Sequence, residues 1–300
     1  MALYSRRLNG LSLCSGAGGL ELGLHIAAPH YRTVGYVERD AFAASTLVAR
    51  MADKALDQAP VWSDARRFDG RPWRGKVDIL SAGYPCQPFT FSGQRKGRDD
   101  PRHLWPQVAR IIKEISPRIV FCENVEGHLS LGFPEVAAEL QAMGFDVRAG
   151  LFSAAEVGAS HIRRRLFILA YANSGDERQS GRDEVQHQRS AVHRRRRYQG
   201  FTDRHQRNSQ DVDMDVADVA RHGVQGREDA RLPLFAPAPC LHQGWQQVLD
   251  RHPHLQPCLF GLDNGMAYRV ERSMLAGNGV CPLAAALAFR TLTAGVVDVS

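Results

Sequence analysis

The sequence predicts an α/β fold: a doubly wound, largely parallel sheet accompanied by a smaller, loop-rich region. Three observations predict it. Apolar runs of strand length alternate with helix-like stretches through the first half of the chain. The glycine cluster Gly16-Ala17-Gly18-Gly19 follows the first apolar run and opens a helix, and reactive or charged side chains recur where a strand candidate ends. Alternating β and α segments build a sheet with helices on both faces, and such sheets take their ligands at the carboxyl ends of the strands. The chemically loaded residues are therefore expected to meet in one cleft.

Leu8 to Leu13 is the first strand candidate, and the glycines after it let the backbone approach a ligand closely. A helix opens at Gly19-Leu20-Glu21-Leu22, where free amide groups favour negative charge. Thr33 to Val37 is the second strand, and Ala41 to Met51 the helix after it, with Asp40 as N-cap. Val77 to Ser81 and Arg118 to Phe121 are the next strands. Between them a helix starts around Pro101-Arg102-His103-Leu104-Trp105. Pro134 to Met143 reads as a helix, because proline suits a first turn and Gly144 supplies a stop. Asp146 to Leu151 and Leu166 to Ala170 complete the strands, and a last helix covers Leu283 to Leu292.

Three hundred residues with 44% hydrophobic side chains suit one globular catalytic domain plus a smaller insertion. A net charge of +6 favours a polyanionic partner without naming one. No apolar run approaches the ~18 residues of a membrane span, and Met1 to Gly10 carries two arginines but no signal-peptide core. The reading is a cytoplasmic protein with no membrane partner. The 6 cysteines include no C-x-x-C pair, so neither a zinc knuckle nor a disulfide framework is expected, and no metal. At Asn173 the composition turns to Arg, Asp, Gln, His, Ser and Gly, including the run His193-Arg194-Arg195-Arg196-Arg197, and apolar patterning resumes near Leu232. So polar a stretch buries too little apolar surface to offset its ordering entropy and is expected to be loop-rich or disordered when free.

The run Gly83-Tyr84-Pro85-Cys86-Gln87-Pro88-Phe89 follows the third strand candidate. Two prolines stiffen the backbone around one cysteine, and a thiolate held on a fixed turn is a nucleophile candidate. A lone cysteine is more often buried structure. Here it is followed by the polar loop Ser92-Gly93-Gln94-Arg95-Lys96-Gly97-Arg98, and Glu123-Asn124-Val125 ends another strand. Together these motifs resemble the DNA cytosine-5 methyltransferases. The family order is kept from Leu13-Cys14-Ser15-Gly16-Ala17-Gly18-Gly19 through Cys86, Glu123-Asn124-Val125 and Arg163-Arg164-Arg165 to Gly277-Asn278-Gly279-Val280. The resemblance covers roughly residues 8 to 171 and 262 to 292 and implies a Rossmann-like methyltransferase sheet.

On the cofactor side, a glycine-rich loop alone fits a dinucleotide, a phosphate or nothing, and its spacing does not exclude NAD. Glu38, ending the second strand, is placed for ribose hydroxyls, the role of an acid about 20 residues after such a loop. Asp64 falls where the family's aspartate meets the adenine amino group. The resemblance implies S-adenosylmethionine as cofactor, held by Ser15, Gly16, Ala17, Gly18, Gly19, Leu20, Glu38, Asp64, Ala65, Gly83, Leu104, Asn278 and Val280.

The resemblance also implies the chemistry. Cytosine C5 is a poor nucleophile, so the Cys86 thiolate adds to C6, C5 attacks the sulfonium methyl, and loss of the C5 proton expels the thiolate. Glu123, protonated or sharing its proton with N3, meets the charge that develops on the ring. Arg165 contacts the base carbonyl, with Arg163 beside it in the same role. Alternation along a strand puts 163 and 165 on one face and leaves Arg164 to solvent or phosphate. A base inside a duplex must be extruded first, and the loop from Phe91 to Asp100 suits a lid over flipped DNA. Gln87, Ser92, Gln94, Arg95 and Arg98 are its expected DNA contacts.

His161 replaces the glutamine usual before the motif arginines, and Thr90 stands where serine is commoner. The domains expected are a catalytic and cofactor-binding part over 1–172, a target recognition region over 173–261, and a C-terminal segment, 262–300, returning to the first. The reading is a monomeric prokaryotic or phage DNA (cytosine-5-)-methyltransferase acting on double-stranded DNA, with a cognate restriction endonuclease as a further candidate partner. A tRNA cytosine methyltransferase of the same fold shares the string Pro85-Cys86-Gln87-Pro88-Phe89-Thr90, but that subgroup's Cys-Phe-Thr recognition signature is absent. A silent DNA-binding relic is the remaining alternative, opposed by the intact Cys86, Glu123 and Arg165.

Overall fold

Strand pairing, rather than the apolar runs alone, sets the limits of the elements. The structure is a computed structural model that describes residues 7–85, 104–172, 235, 237, 241–251 and 269–295. All belong to one compact unit, Met1–Asn173 with Pro233–Ser300; a second unit, Ser174–Leu232, lies outside the described residues. Seven strands form one sheet: β1 (Leu8–Leu13), β2 (Tyr31–Val37), β3 (Val61–Trp62), β4 (Ile79–Ala82), β5 (Ile119–Val125), β6 (Phe145–Phe152) and β7 (Arg165–Ala172). Their order is β3-β2-β1-β4-β5-β7-β6. The described helices are α1 (Gly19–Ala27), α2 (Ala41–Ala52), α3 (Trp105–Ile115), α4 (Phe133–Ala142), α5 (His242–Arg251), α6 (Arg269–Asn278) and α7 (Pro282–Thr293).

The expected doubly wound sheet is present. Strands β1 to β5 pair in parallel, whereas β7 runs antiparallel to both of its neighbours. Chain order returns from β1 to β2 on one side and advances from β4 to β5 on the other. Right-handed crossovers then place α1 and α3 on opposite faces. Asp40 caps α2 as expected, its Oδ1 accepting from the Ala43 amide at 2.8 Å. Gly144 closes the turn after α4 at a φ of 89°.

Two features differ from the sequence reading. The pair Val61–Trp62 is a strand, too short for periodicity to reveal, built by its pairing with Tyr36 and Val37. Strand β5 continues through the polar Glu123 and Asn124 because β7 lies beside it, with Glu123 opposite Phe167 and Val125 opposite Arg165.

One face of the sheet is covered by α1 and α7, which pack on each other. Leu20, Leu24, Ala285, Phe289 and Leu292 from these helices share a core with Ile79, Ile119, Phe121 and Phe167 from the strands. The Arg148 guanidinium donates to the carbonyls of Leu292 and Ala294 at 3.1 and 2.8 Å, and Arg290 donates to the Ile26 carbonyl at 2.8 Å. By length and composition Met274–Thr293 passes as a membrane span of 20 residues, against the expectation that no such run exists. It is in fact the end of α6 and all of α7, broken at 279–281, and the apolar face of α7 is buried in the core.

Gly23 makes the packing of α1 on α7 possible. A Cβ there lies 2.6 Å from the Ala285 Cβ and 2.7 Å from the Pro282 carbonyl oxygen. Alanine in place of a helical glycine ordinarily stabilises by about 1 kcal/mol. Here overpacking, typically about 1–3 kcal/mol, should reverse the sign, so Gly23→Ala is expected to lower the urea midpoint at unchanged slope. A raised midpoint contradicts this close approach.

Candidate active site

The crevice opens where β1 and β4 lie side by side and the chain leaves them toward opposite faces. After β1, Cys14 turns the chain at a φ of 53° and Gly16 and Gly18 continue it at 54° and 77°. Gly18 is favoured by its φ, and a Cβ there would push on the end of the Leu56 side chain, 2.4 Å away. The Ala17 carbonyl accepts from Arg50 at 2.6 Å, and Ser15 is buried with its hydroxyl accepting from Ser12 at 2.7 Å. Around Gly16 there is open space.

Glu38 follows β2 directly. Its Oε2 accepts from the Gly16 amide at 2.7 Å and its Oε1 from the Asp40 amide at 2.8 Å, so one carboxylate ties the glycine turn to the start of α2. Asp64, after β3, accepts from the Arg66 amide at 2.9 Å. Both carboxylates act on the Cys14 thiol, which burial first and these charges second push up to about 12. The glycine turn and the two acids therefore lie near one another beyond the ends of β1, β2 and β3.

The second half of the site forms across β4, β5 and β7. A Cβ on Gly83 lies at ordinary contact distance from both the Cys14 carbonyl oxygen, 3.5 Å, and the Glu123 Oε2, 3.8 Å, so the two halves meet at Gly83. Glu123 is 7% exposed, and Arg165 Nε reaches its Oε1 at 3.1 Å. The register explains the pair: with Val125 opposite Arg165, Glu123 is the diagonal neighbour on the same face. Burial pushes the Glu123 carboxyl up to about 7, although Arg165 and then Arg163 pull it down.

Arg163 departs from the expected alternation. Strand β7 begins only at Arg165, and Arg163 has a φ of 39°. Its guanidinium donates to the carbonyls of Gly277 and Gly279, so it braces the turn between α6 and α7 and shares no strand face with Arg165. Arg164 pairs with Glu126 at 3.1 Å.

That braced turn brings late residues to early ones. Val280 lies against Gly19, where a Cβ falls 2.6 Å from the Val280 carbonyl oxygen. Asn278 ends α6 and is exposed. Leu20 turns its side chain into the core, leaving only its main chain to the crevice. Ala65 is buried, its carbonyl accepting from Arg110 at 2.8 Å, and Leu104 caps α3. Cys86, Gln87, Thr90, Ser92, Gln94, Arg95 and Arg98 lie outside the described residues, as does the run 193–197. Among the described residues no three His, Cys, Asp or Glu side chains converge as a metal site.

Sequence reasoning missed three supporting groups. Asn124 Nδ2 donates to the Tyr84 carbonyl at 3.1 Å, holding the residue two before Cys86. Its place beside Glu123 is the one signal that pointed to it. Glu21 on α1 is 1% exposed and accepts from Ser81 at 2.8 Å, with its carboxyl raised by burial, and an acid at a helix start reads as solvated surface. Tyr84 and His128 join at 2.9 Å from positions 44 residues apart, which no local pattern reveals.

Fold and site define a doubly wound α/β domain with a crevice at its strand-order switch point and a buried carboxyl paired with an arginine beside it. The chain belongs to the C-5 cytosine-specific DNA methylase family, whose profile matches residues 8–225. It is 33% identical over 167 residues to the type II methyltransferase M.NgoMIV of Neisseria gonorrhoeae, covering 54% of this chain and 51% of that one. To M.PspPI of a Psychrobacter species it is 39% identical over 128 residues, 41% of this chain and 28% of that one. To M.Eco47II of Escherichia coli it is 32% identical over 173 residues, 54% and 39%. The chain thus spans about half the length of the first relative and less of the other two. Among solved structures, a methyltransferase of Entamoeba histolytica is similar at 18% identity and a TM-score of 0.48, over 60% of this chain and 57% of that one.

The raised Glu123 carboxyl has a thermodynamic signature. Its folded pKa, about 7, exceeds the ordinary 4.5, so between these values the native state binds the extra proton. Stability from this group is therefore full below pH 4.5 and is lost as pH rises through about 7. Between pH 5 and pH 8 the unfolding free energy of the wild-type chain should fall by up to about 3 kcal/mol more than that of Glu123→Gln. Equal pH slopes in urea titrations of the two proteins contradict the assignment.

Proposed function

We propose that this chain is a DNA (cytosine-5-)-methyltransferase that uses S-adenosylmethionine. The observation that carries the reading is Glu123: a carboxyl raised to about 7, paired with Arg165 at 3.1 Å, beside the Gly83 turn that leads to Cys86. Such a carboxyl holds a proton near neutral pH and can share it with a ring nitrogen as charge develops on a base. The Arg165 guanidinium supplies a fixed positive charge for the carbonyl beside that nitrogen. Cys86 is the proposed nucleophile, on family resemblance and on its place after β4.

The residues present fit the cofactor. Open space at Gly16 and the convergence of Glu38 and Asp64 on the Cys14 turn suit a ligand carrying ribose hydroxyls and an amino group. When bound, S-adenosylmethionine supplies an electrophilic methyl group. Glu38 and Asp64 are the proposed acceptors toward it, and Gly19, packed against the Val280 carbonyl, is a proposed wall of the crevice. Glu38→Ala removes a carboxylate that also holds the Gly16 amide, so S-adenosylmethionine affinity should fall at least about tenfold, the loss of one to two charged hydrogen bonds. Calorimetry that finds unchanged affinity would place the cofactor elsewhere.

DNA carrying 5-fluorocytosine tests the covalent step. The thiolate adds to C6 and C5 takes the methyl group, but fluorine cannot leave as a proton does, so the adduct persists. With S-adenosylmethionine present, a denaturant-stable complex with DNA is expected, and Cys86→Ser should abolish it. A protein that methylates ordinary DNA yet forms no such complex does not work through Cys86, and trapping on tRNA in place of DNA assigns the other substrate class.

A further inference from the structure

Tyr84 is gripped from three separate elements. Asn124 of β5 holds its carbonyl at 3.1 Å, and the Trp105 ring of α3 packs on its ring with centroids 5.3 Å apart. His128, in the 3-10 turn Glu126–Leu129, meets its hydroxyl at 2.9 Å. Both side chains are sealed from water, Tyr84 at 3% exposure and His128 at 2%. The Leu131 carbonyl lies 3.0 Å from the histidine Nδ1. A carbonyl only accepts, so Nδ1 carries the proton, and in the neutral ring Nε2 accepts from the tyrosine hydroxyl.

A phenylalanine fills the same volume without a polar atom to satisfy, so packing alone does not call for this buried hydroxyl. What the hydroxyl adds is direction: with it, the ring cannot swing or slide out of place without breaking a hydrogen bond in a dry environment. We infer that His128 and Tyr84 form a positioning pair that fixes the main chain at Gly83-Tyr84-Pro85, and with it the direction in which the chain leaves β4 toward Cys86. The pair acts through the backbone, and the inference rests on the methyltransferase reading above.

The test compares Tyr84→Phe, His128→Leu, His128→Gln and the double variant Tyr84→Phe/His128→Leu in the full chain. Gln keeps an acceptor toward Tyr84 and a donor toward Leu131, so it should restore what Leu loses. With saturating DNA and S-adenosylmethionine, Tyr84→Phe and His128→Leu should each slow single-turnover methyl transfer about tenfold while cofactor affinity stays within about twofold, as expected for a misplaced nucleophile. The double variant should be no slower than the slower single one. Amide hydrogen exchange of peptides spanning 83–86 should quicken in both single variants and stay unchanged in β1 and β6.

Transfer rates within about twofold of wild type, additive losses in the double variant, or unchanged exchange at 83–86 each overturn the pair. If Tyr84→Phe does not fold, His128→Gln against His128→Leu decides alone. A wild-type chain that transfers no methyl group sinks the proposed function, and the exchange comparison still judges the pair.

Discussion

The reversal of strand order between β1 and β4 is the constraint on which the rest of the structure depends. Because the connections from such neighbouring strands depart to opposite faces, a crevice is left at the carboxyl end of the sheet between them. The turn after β1 and the turn after β4 then face each other across it, close enough that a single Cβ on Gly83 would touch both the Cys14 carbonyl and Glu123. The glycine turn, the turn after β4 and Glu123 are neighbours for this topological reason. Their positions in the chain, near residues 14, 84 and 123, reflect only the helices that intervene.

Within the crevice the balance of charges is decided by burial. Two guanidiniums act on Glu123, and an exposed carboxyl so placed would ionise well below its ordinary value. Instead desolvation outweighs both, and the carboxyl sits near neutrality. Arg163 spends its hydrogen bonds on the carbonyls of Gly277 and Gly279, and its own charge is disfavoured first by burial and then by Arg165. One arginine thus faces the acid while the other holds the scaffold, although the two stand a single residue apart.

The C-terminal segment is an integral part of the site. Gly19 admits the Val280 carbonyl, Gly23 admits Pro282 and Ala285, and Arg148 and Arg290 tie the C-terminal end of α7 to β6 and α1. Small residues on α1 let the last helix approach closely enough to set the turn before it against the first glycine loop. Buried polar pairs serve the same end elsewhere: Ser81 with Glu21, and Tyr84 with His128 beside the turn after β4.

The sequence by itself determined the alternation of strands and helices, the glycine turn after β1, the Asp40 cap and the association of Glu38, Asp64, Glu123 and Arg165 with strand ends. These are local properties, since periodicity, capping and turn chemistry act over a few residues. It did not determine that β7 runs antiparallel beside β5, and that register alone makes Arg165 the diagonal partner of Glu123. Alternation misjudged Arg163, because the strand begins only at Arg165, and Arg164, read as left to solvent or phosphate, pairs with Glu126. Tyr84 with His128, Gly19 with Val280 and Arg163 with Gly277 are contacts between residues 44 to 261 positions apart. Only tertiary structure decides such pairs, because a hydrogen bond or a van der Waals contact depends on distance in space, and no local pattern in the chain encodes that distance.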